Sequence, residues 1–360
     1  MVLSVTVVGA GWVSTHRHIP TLQAHPGVRV AGVVDRSPER ARAAAEAIGV
    51  PWFAGDLPSA APFFASSDAV VCGTAPFAHH RVATDALEHG KHVLTEKPFT
   101  MTVAEGEELL ALAERSGKQL AIVHNFQFAS SFAKVEQWIA SGRLGDLRMV
   151  HAIQMSNPNR RLPTWYDDLP FGLFYDEAPH LLYLVRRLSG DTLQPVTVVA
   201  HPSSDPAAST PSVLEAHFSA RPSRRAPGAT VPVIVQMNFE AAVSEWHVVV
   251  SGTRGTAICD VFRDIAVFLP DDGLHETKAV LGTSLRGTLA HWGGYVRNGL
   301  PHLRGKLSYG NDEVFRRFVE AASTGRPAKD IGGADALAVL RLMHDVMDGA
   351  RRSLDGRAAG

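Results

Sequence analysis

The sequence has little cysteine, no long hydrophobic run and no surplus of charge. Its two cysteines among 360 residues are Cys72 and Cys259, and Cys72 lies in a predicted buried strand, so we predict a reducing, cytoplasmic location. No apolar run approaches the roughly 18 residues that a membrane-spanning helix needs, and residues 2–8 enter a glycine turn without a preceding basic segment, which predicts a strand and not a signal peptide. Lysine plus arginine number 35 against 36 acidic residues, so we expect neither a nucleic-acid nor a membrane partner.

The composition otherwise fits a chain with two hydrophobic cores. Apolar residues make up 45% and charged residues 20% of the sequence, and 360 residues suffice for two domains. Histidine is frequent, with 17 copies, but pairs such as His16 and His18 have no cysteine or carboxylate at a recognised ligand spacing. We therefore predict no metal site.

The first 125 residues alternate short apolar runs with helical patterns, which is typical of βαβ units. The predicted strands are 2–8, 28–34, 69–72, 92–94 and 120–123, with a weaker one at 52–53. Ser37 and Pro38 suit the start of one helix, and Thr102 with Glu105 forms a capping box ahead of another. Residues 1–125 therefore predict an α/β dinucleotide-binding Rossmann domain with a doubly wound parallel sheet.

Residues 126–360 predict a second domain of the α+β class. The predicted strands are 147–155, 196–201, 213–219, 231–239, 244–251, 256–260 and 264–268, and the predicted helices are 131–141, 171–188, 310–324 and 334–352. Strands joined by short turns indicate a large, mainly antiparallel open sheet. The last helices are candidates to pack back on the first domain, and the segment 282–309 either caps a pocket or joins elements.

A glycine-rich turn directly follows the first predicted strand. Gly9 and Gly11 would let backbone N–H groups approach a pyrophosphate, and the helix that starts near Trp12 and Val13 adds a favourable dipole. Ser14 occupies the third position of the motif, where Gly or Ala is usual, and predicts a slightly wider spacing between helix and strand. We predict that Gly9, Gly11, Trp12 and Val13 contact a dinucleotide.

An acidic residue at the end of the second strand supports the same site. Asp35 lies 24 residues after Gly11, where a carboxylate can accept both ribose hydroxyls of NAD. Arg36 next to it could pair with a 2′-phosphate or stack on adenine. Because a carboxylate repels that phosphate, we predict NAD as the cofactor, with NADP as the alternative.

Two further segments follow strand ends, which is where doubly wound sheets bind ligands. They are 73–79 and 95–98. The residues in them that we predict to contact the cofactor are Thr74, Pro76, His79, Glu96 and Lys97.

The stretch Ala-Leu-Glu-His-Gly-Lys-His-Val-Leu-Thr-Glu-Lys-Pro at 86–98 resembles the most specific signature of the Gfo/Idh/MocA family, named for glucose–fructose oxidoreductase, inositol dehydrogenase and a rhizopine-catabolism protein. The likeness covers essentially the whole chain, including 141–145 and the C-terminal pair of helices. The resemblance implies that Lys97 projects toward substrate beside the nicotinamide, and that the bond before Pro98 is a candidate for the cis form. Oxidation of an alcohol needs a base for the hydroxyl proton, and a lysine can serve.

Asp176 and His180 stand four residues apart, hence on one face if helical. The resemblance implies that this element lines the sugar site and that its histidine exchanges protons, so we predict Lys97, Asp176 and His180 as catalytic residues. The chain departs from the family pattern here, because the glycine run before the Asp is reduced to Gly172. Pro179 has no N–H to donate, so the helix must begin nearby or kink.

The segment 125–128 matches one in which the family commonly has Arg at the third position. Gln127 removes that charge, which suggests that a different substituent of the substrate is recognised. His151 and Trp12 could also line a polyol pocket. The predicted substrate contacts are Lys97, Asn125, Gln127, Trp165, Tyr166, Asp176 and His180. We predict that Arg160 and Arg161 lie side by side on the surface, exposed to solvent.

These residues predict an NAD(P)-dependent oxidoreductase that acts on a secondary alcohol or ketone of a sugar, amino sugar, sugar derivative or cyclitol. Two alternatives stay open: an NAD-dependent glycoside hydrolase that uses transient oxidation and elimination, and a non-catalytic sensor of cofactor and sugar. The resemblance also implies a homodimer or homotetramer formed through the C-terminal sheet.

Overall fold

The computed structural model of the chain describes residues 2–160, 162–190, 192–221, 230–305 and 307–358. It divides into two compact units. The first comprises Met1–Asn125 and Asn311–Arg341, and the second comprises Phe126–Gly310 and Leu342–Gly360.

The first unit is built on a parallel six-stranded sheet. Its strands are β1 Leu3–Val8, β2 Val28–Asp35, β3 Trp52–Ala54, β4 Ala69–Cys72, β5 His92–Thr95 and β6 Leu120–Ile122. They lie in the order β3-β2-β1-β4-β5-β6, so the order reverses between β1 and β4. Every residue of β1 and β4 is buried, as expected for parallel strands covered on both faces. The predicted parallel sheet is confirmed.

Helices flank the strands of both units. Those before residue 190 are α1 Ile19–Ala24, α2 Pro38–Glu46, α3 His79–Glu88, α4 Val103–Ser116, α5 Ser130–Ala140 and α6 Leu173–Ser189. Those after it are α7 Thr277–Leu303, α8 Asn311–Thr324 and α9 Gly333–Ala358. The predicted caps are confirmed: Ser37 accepts the N–H of Arg40, and Thr102 and Glu105 form a reciprocal capping box.

The second unit contains a seven-stranded sheet. Its strands are β7 Leu147–Met155, β8 Leu193–His201, β9 Val213–Ala220, β10 Val231–Asn238, β11 Glu245–Gly252, β12 Gly255–Asp260 and β13 Ile265–Pro270, in the order β13-β12-β11-β7-β10-β9-β8. All neighbouring pairs are antiparallel except β7 with β10, which is parallel. The sheet is therefore mixed and mainly antiparallel.

Alternation along β7 defines the two faces of this sheet. Ala152 and Gln154 are fully buried on the inner face, where Gln154 hydrogen-bonds Glu177 of α6. His151 and Ile153 point to the other side and are partly exposed; we call this the outer face. His151 is thus on the face away from α6, so its predicted place in a pocket with the α6 residues was wrong. The cause is the two-residue period of a strand, which a search for polar residues along the sequence ignores.

The helix α7 has no counterpart among the predicted elements. It spans 27 residues within 277–303, and its five glycines obscure the helical pattern in the sequence. None of the helices in the described ranges has the length and apolar character needed to cross a membrane. Cys72 and Cys259 are both buried and carry free thiols.

Candidate active site

The turn after β1 can be formed only with glycine at its first position. Gly9 has φ +89°, and a Cβ there would lie 2.8 Å from the backbone of Gly73 and Thr74, which follow β4. At Gly11, in contrast, a Cβ would meet nothing within 4 Å. The second glycine therefore leaves the backbone open on one side, as a bound pyrophosphate requires.

A buried serine takes the third position of the glycine motif. The Ser14 side chain is fully buried, and a Cβ on Gly73 would lie 2.2 Å from its Oγ. Gly73 thus provides the room that the serine takes up, which the sequence motif alone does not reveal. Near this turn Trp12 is half exposed and stacks on His16, while Val13 is partly exposed.

The carboxylate of Asp35 is engaged by the protein on both oxygens. Oδ2 accepts the N–H of Ala10 at 2.7 Å, and Oδ1 accepts the N–H of Ser37 at 2.8 Å. Arg40 of α2 donates to the same Oδ1 from Nη2 at 2.9 Å. The buried acid therefore ties the glycine turn to the end of β2 and is itself neutralised by Arg40. The Arg36 side chain beside it is 77% exposed, with Nε 4.0 Å from Asp56.

A buried histidine holds the segment that follows β4. Pro76 starts a short 3₁₀ turn, and Thr74 is partly exposed next to it. His79 is fully buried, with Nδ1 2.7 Å from the carbonyl of Pro98 and Nε2 3.1 Å from that of Thr74. Burial lowers the pKa of this imidazole, although both carbonyls oppose that shift. His79 therefore links the turns after β4 and β5.

The turn after β5 holds a buried acid next to a partly exposed lysine. Glu96 accepts from His18 Nε2 at 2.8 Å and from the N–H of Lys97 at 3.0 Å. Burial raises the pKa of the Glu96 carboxyl, but His18 and Lys97 together hold it below its ordinary value. The Lys97–Pro98 bond is cis, as the resemblance implied.

These turns follow β1, β2, β4 and β5, which are neighbours in the sheet. The carboxyl ends of parallel strands meet at one edge, and the order of the strands reverses between β1 and β4. The open backbone at Gly11 and the acid at Asp35 fit the pyrophosphate and ribose of a dinucleotide. The predicted cofactor residues of all four turns thus belong to one edge of the first unit.

The helix α6 begins at Leu173 after an unusual turn. Gly172 has φ +52°, and a Cβ there would lie 2.1 Å from Thr210 Oγ1, so the glycine is required. Pro179 lies inside the helix, in its second turn. The helix therefore begins six residues before the proline and continues to Ser189. Asp176 is partly exposed on this helix.

His180 lies in a cluster of aromatic side chains in the second unit. Its ring is 4.9 Å from that of Phe126 and 5.5 Å from that of Trp246, and the residue is only 8% exposed. Nδ1 lies 2.8 Å from the Tyr183 hydroxyl, which also accepts the N–H of Phe126 at 3.1 Å. Tyr183 therefore orients the imidazole from one side.

Three members of this cluster were missed in the sequence. Trp246 is 4% exposed, and its indole Nε1 hydrogen-bonds to nothing among the described residues. Tyr309 packs on Phe126 at 5.6 Å. Tyr183 stands three residues after His180, one helical turn away, and this spacing was the available signal. Trp246 comes from a distant strand and gave none.

Gln127 is held by an arginine of the same unit. Its Oε1 accepts from Arg187 Nη1 at 3.1 Å, while Arg187 also pairs with Glu136 of α5 at 2.5 Å. Asn125, the last residue in the first segment of the first unit, is 8% exposed. Trp165 and Tyr166 are partly exposed and lie between β7 and α6.

Arg160 forms a buried contact, contrary to the predicted solvated pair. Its guanidinium pairs with Glu177, which is 6% exposed and also accepts from Gln154. The loop before α6 is thus fixed to the face of α6 that meets the sheet. Arg161 lies outside the described residues. Among the described residues no three His, Cys, Asp or Glu side chains are grouped so as to hold a metal ion.

The sequence matches the models of two protein domains. Residues 3–124 match an oxidoreductase family with an NAD-binding Rossmann fold, and residues 132–258 match the Gfo/Idh/MocA C-terminal domain. Over 194 residues the chain is 34% identical to a dTDP-3,4-didehydro-2,6-dideoxy-α-D-glucose 3-reductase of Streptomyces violaceoruber. That match covers 53% of this chain and 56% of the relative.

Solved structures show the same fold over nearly the full length. A UDP-N-acetylglucosamine 3-dehydrogenase from Acidithiobacillus ferrooxidans has a TM-score of 0.72 at 19% identity, covering 98% of this chain and 99% of that one. A 3-ketoreductase from Actinomadura kijaniata in complex with NADP and TDP-benzene has a TM-score of 0.73 at 20% identity, covering 97% and 98%.

Proposed function

The chain is a member of the Gfo/Idh/MocA family of NAD-binding oxidoreductases, and from this premise we propose that it moves a hydride between NAD(P) and a secondary alcohol or ketone of a sugar, amino sugar, sugar derivative or cyclitol. The observation that carries the proposal is the edge of the parallel sheet. There the open turn at Gly11, the acid Asp35 and the amine of Lys97 follow strands of one sheet. A relative that reduces a sugar nucleotide at C3 supports the substrate class.

The residues that would hold the dinucleotide follow from the strand ends. Gly9, Gly11, Trp12 and Val13 would contact the pyrophosphate side, Asp35 and Arg36 the adenosine ribose, and Thr74, Pro76, Glu96 and Lys97 the nicotinamide side. The buried His79 would act on that side by holding the turns after β4 and β5 together. When bound, the nicotinamide supplies the hydride acceptor or donor. The chain itself must bind and orient the sugar and move the hydroxyl proton.

We assign the proton transfer to Lys97 and His180. An imidazole that gains or loses a proton at Nε2 keeps a hydrogen on Nδ1 in both states, and the Tyr183 oxygen lies 2.8 Å away to accept it. The aromatic rings around His180 exclude water from that side of the imidazole. Asp176, one turn earlier on α6, would orient the substrate.

The remaining predicted substrate contacts are Asn125, Gln127, Trp165 and Tyr166. Trp246 joins them, because a buried indole N–H without a partner among the described residues is suited to a sugar oxygen. We also propose that copies of the chain assemble through the outer face of the seven-stranded sheet. Partly exposed apolar side chains such as Ile153 and Val249 on that face fit an interface.

Replacing either proton-transfer residue tests the function directly. We expect Lys97→Ala and His180→Ala each to lower turnover by about 10² or more, because each removes a group that moves the proton, while NADH still binds. Turnover is followed by absorbance of the reduced cofactor over a panel of sugars and cyclitols. Lys91→Ala, at the other end of β5, is the matched control and should keep the wild-type turnover. Full activity in both variants rejects the assignment, and glycoside cleavage without net NADH would support the hydrolase alternative.

A further inference from the structure

The helix α7 presents small residues to its own sheet. A Cβ on Gly294 would lie 2.6 Å from Ile265, and one on Gly287 would lie 3.8 Å from Leu269. Ile265 and Leu269 belong to the outer face of β13, since Ala266 and Phe268 alternate with them. The helix therefore rests along one edge of the outer face, as a ridge that leaves the rest of that face open.

The opposite side of α7 is a stripe of large apolar side chains. Its members are Leu281, Leu285, Leu289, Trp292, Val296, Leu300 and Leu303. They follow one another at intervals of three or four residues, which places them on one side of a helix. Each is between 53% and 84% exposed. A surface helix normally turns such residues toward the core. In α7 they point away from its own sheet, so we expect another surface to bury them.

The stripe supplies about half of the area that one partner contributes to a stable interface. Burying a side chain of this kind removes on the order of 100 Å² of apolar surface, so seven that are more than half exposed offer roughly 400 Å². A stable interface takes roughly 800 Å² from each partner. If each copy also contributes an open sheet face, a two-fold pair reaches that area. A ridge beside an open face is complementary to its own copy rotated by a two-fold axis.

Charge decides which surface the stripe meets. α7 contains Lys278, Arg286 and Arg297 but no acidic residue. Arg286 and Arg297 line a cavity beside β13 and do not belong to the stripe, and a second α7 would only add positive charge. The outer face instead carries Glu215, Glu245 and Asp260.

Among the described residues, one arginine and two histidines contact these three acids. Arg263 pairs with both Glu245 and Asp260, His247 lies 3.7 Å from Glu245, and Glu215 contacts His217. With neutral histidines this part of the face stays negative. Between the acids lie the partly exposed apolar residues Ile234 and Val249, which both pair with His151 of β7 in cross-strand register. The face therefore matches the stripe in both apolar character and charge.

We propose that the apolar stripe of α7 packs on the outer sheet face of a second copy of this chain, and that the second copy does the same in return. The inference rests on the proposed assembly through the sheet and is independent of the catalytic roles. It names the element that covers the partner's sheet.

Sedimentation velocity on the full chain tests it with two pairs of changes. Leu285→Glu with Leu289→Glu puts charge into the stripe, and Ile153→Glu with Val249→Glu puts charge into the sheet face. We expect each pair to weaken dimerisation at least 100-fold. Ser284→Glu with Thr288→Glu adds the same two charges beside the stripe and should keep the assembly. Circular dichroism and NADH binding check that each variant is folded. Leu289→Ser replaces a stripe variant that is not, and Val249→Ser replaces a sheet variant that is not.

The outcomes separate this inference from the assembly on which it rests. A wild-type monomer of 38.7 kDa overturns both. If only the sheet variant dissociates, assembly through the sheet stands and the role of α7 is wrong. If only the stripe variant dissociates, the stripe meets some other surface and the proposal fails. A wild-type monomer that floats with vesicles containing anionic phospholipid would assign the stripe to a membrane surface instead.

Discussion

Tyr183 shows how one side chain can set the chemistry of another. Its oxygen accepts the N–H of Phe126 and lies against Nδ1 of His180. This contact holds the imidazole in one orientation, so Tyr183 positions the ring that we assign to proton transfer.

Replacing Tyr183 by Phe should therefore lower turnover. Loss of the hydroxyl removes the hydrogen bond that holds Nδ1 of His180, so the ring is less well oriented toward the substrate. We expect kcat to fall about tenfold, with KM for the sugar little changed. Tyr175→Phe on the same helix is the control. An unchanged kcat in Tyr183→Phe would reduce the tyrosine to a packing role.

Arg40 bears on the choice between NAD and NADP. It donates to the Asp35 oxygen that a ribose hydroxyl would use, and it cancels the charge that would repel a 2′-phosphate. Exposed Arg36 lies next to it in sequence. The sequence showed Asp35 but not its pairing, because Arg40 reaches it across the first turn of α2.

The change Arg40→Gln should shift the cofactor preference toward NAD. Freed of its partner, Asp35 can accept the ribose diol and repels the phosphate, so we expect the ratio of the Kd values for NADP and NAD to rise about tenfold, which is about 1.4 kcal/mol. Titration calorimetry measures both constants. Arg42→Gln, on the same helix and pointing to Glu46, should leave the ratio unchanged. An equal ratio in both variants would contradict the role of Arg40.

At the level of elements, the glycine turn after β1 packs directly against the turn after β4. Gly73 has no side chain where Ser14 Oγ sits, and Ser14 Oγ itself has no hydrogen-bond partner among the described residues. The sequence predicted both segments as strand ends. It could not predict their mutual fit, because that depends on the distance between neighbouring strands.

A double-mutant cycle measures this fit. Gly73→Ala should destabilise the protein by about 1–3 kcal/mol through overpacking. Ser14→Ala alone should be neutral or stabilising, because it removes a buried hydroxyl that lacks a partner. In the double variant we expect at least about 1 kcal/mol of the loss to return, as seen by urea unfolding. Strict additivity would show that the two residues do not touch.

Helices and strands with a regular apolar period could be predicted from the sequence. A helix with its apolar side toward solvent, and a pairing between distant strands, could not. The strands and most helices followed from period and caps. The α7 helix did not, since its glycines look like loop residues and its apolar side faces solvent. The parallel pair β7–β10 was also missed, because these strands are far apart in the chain and the short turns of the sequence connect other pairs.

For the whole molecule, the first unit is discontinuous in the chain. It needs α8, where Phe315 and Phe318 are buried and Phe315 packs 5.4 Å from His18. The carbonyl of Ile331 also accepts the N–H of Ile122, the last residue of β6. The predicted boundary at residue 125 marks the end of the first segment of this unit, and α8 is one of the last helices that were candidates to pack back on it.

A chain that stops at residue 310 should therefore lose NADH binding although its glycine turn is intact. Removal of Phe315 exposes the surroundings of His18, which holds Glu96 in place. We expect the thermal transition of the first unit to fall by many degrees or vanish. Joining residues 311–341 behind residue 125 through a flexible linker should restore NADH fluorescence enhancement. Tight binding by residues 1–125 alone would argue against this dependence.

The same discontinuity sets an order of events during synthesis. The sheet of the first unit leaves the ribosome early, but α8 follows only after the intervening segment, on the order of 10–40 s later at bacterial-like elongation rates. A nascent chain would thus wait, with an unfinished hydrophobic flank, until α8 has been synthesised. Occupancy by the dinucleotide would then report that the ribosome has passed α8.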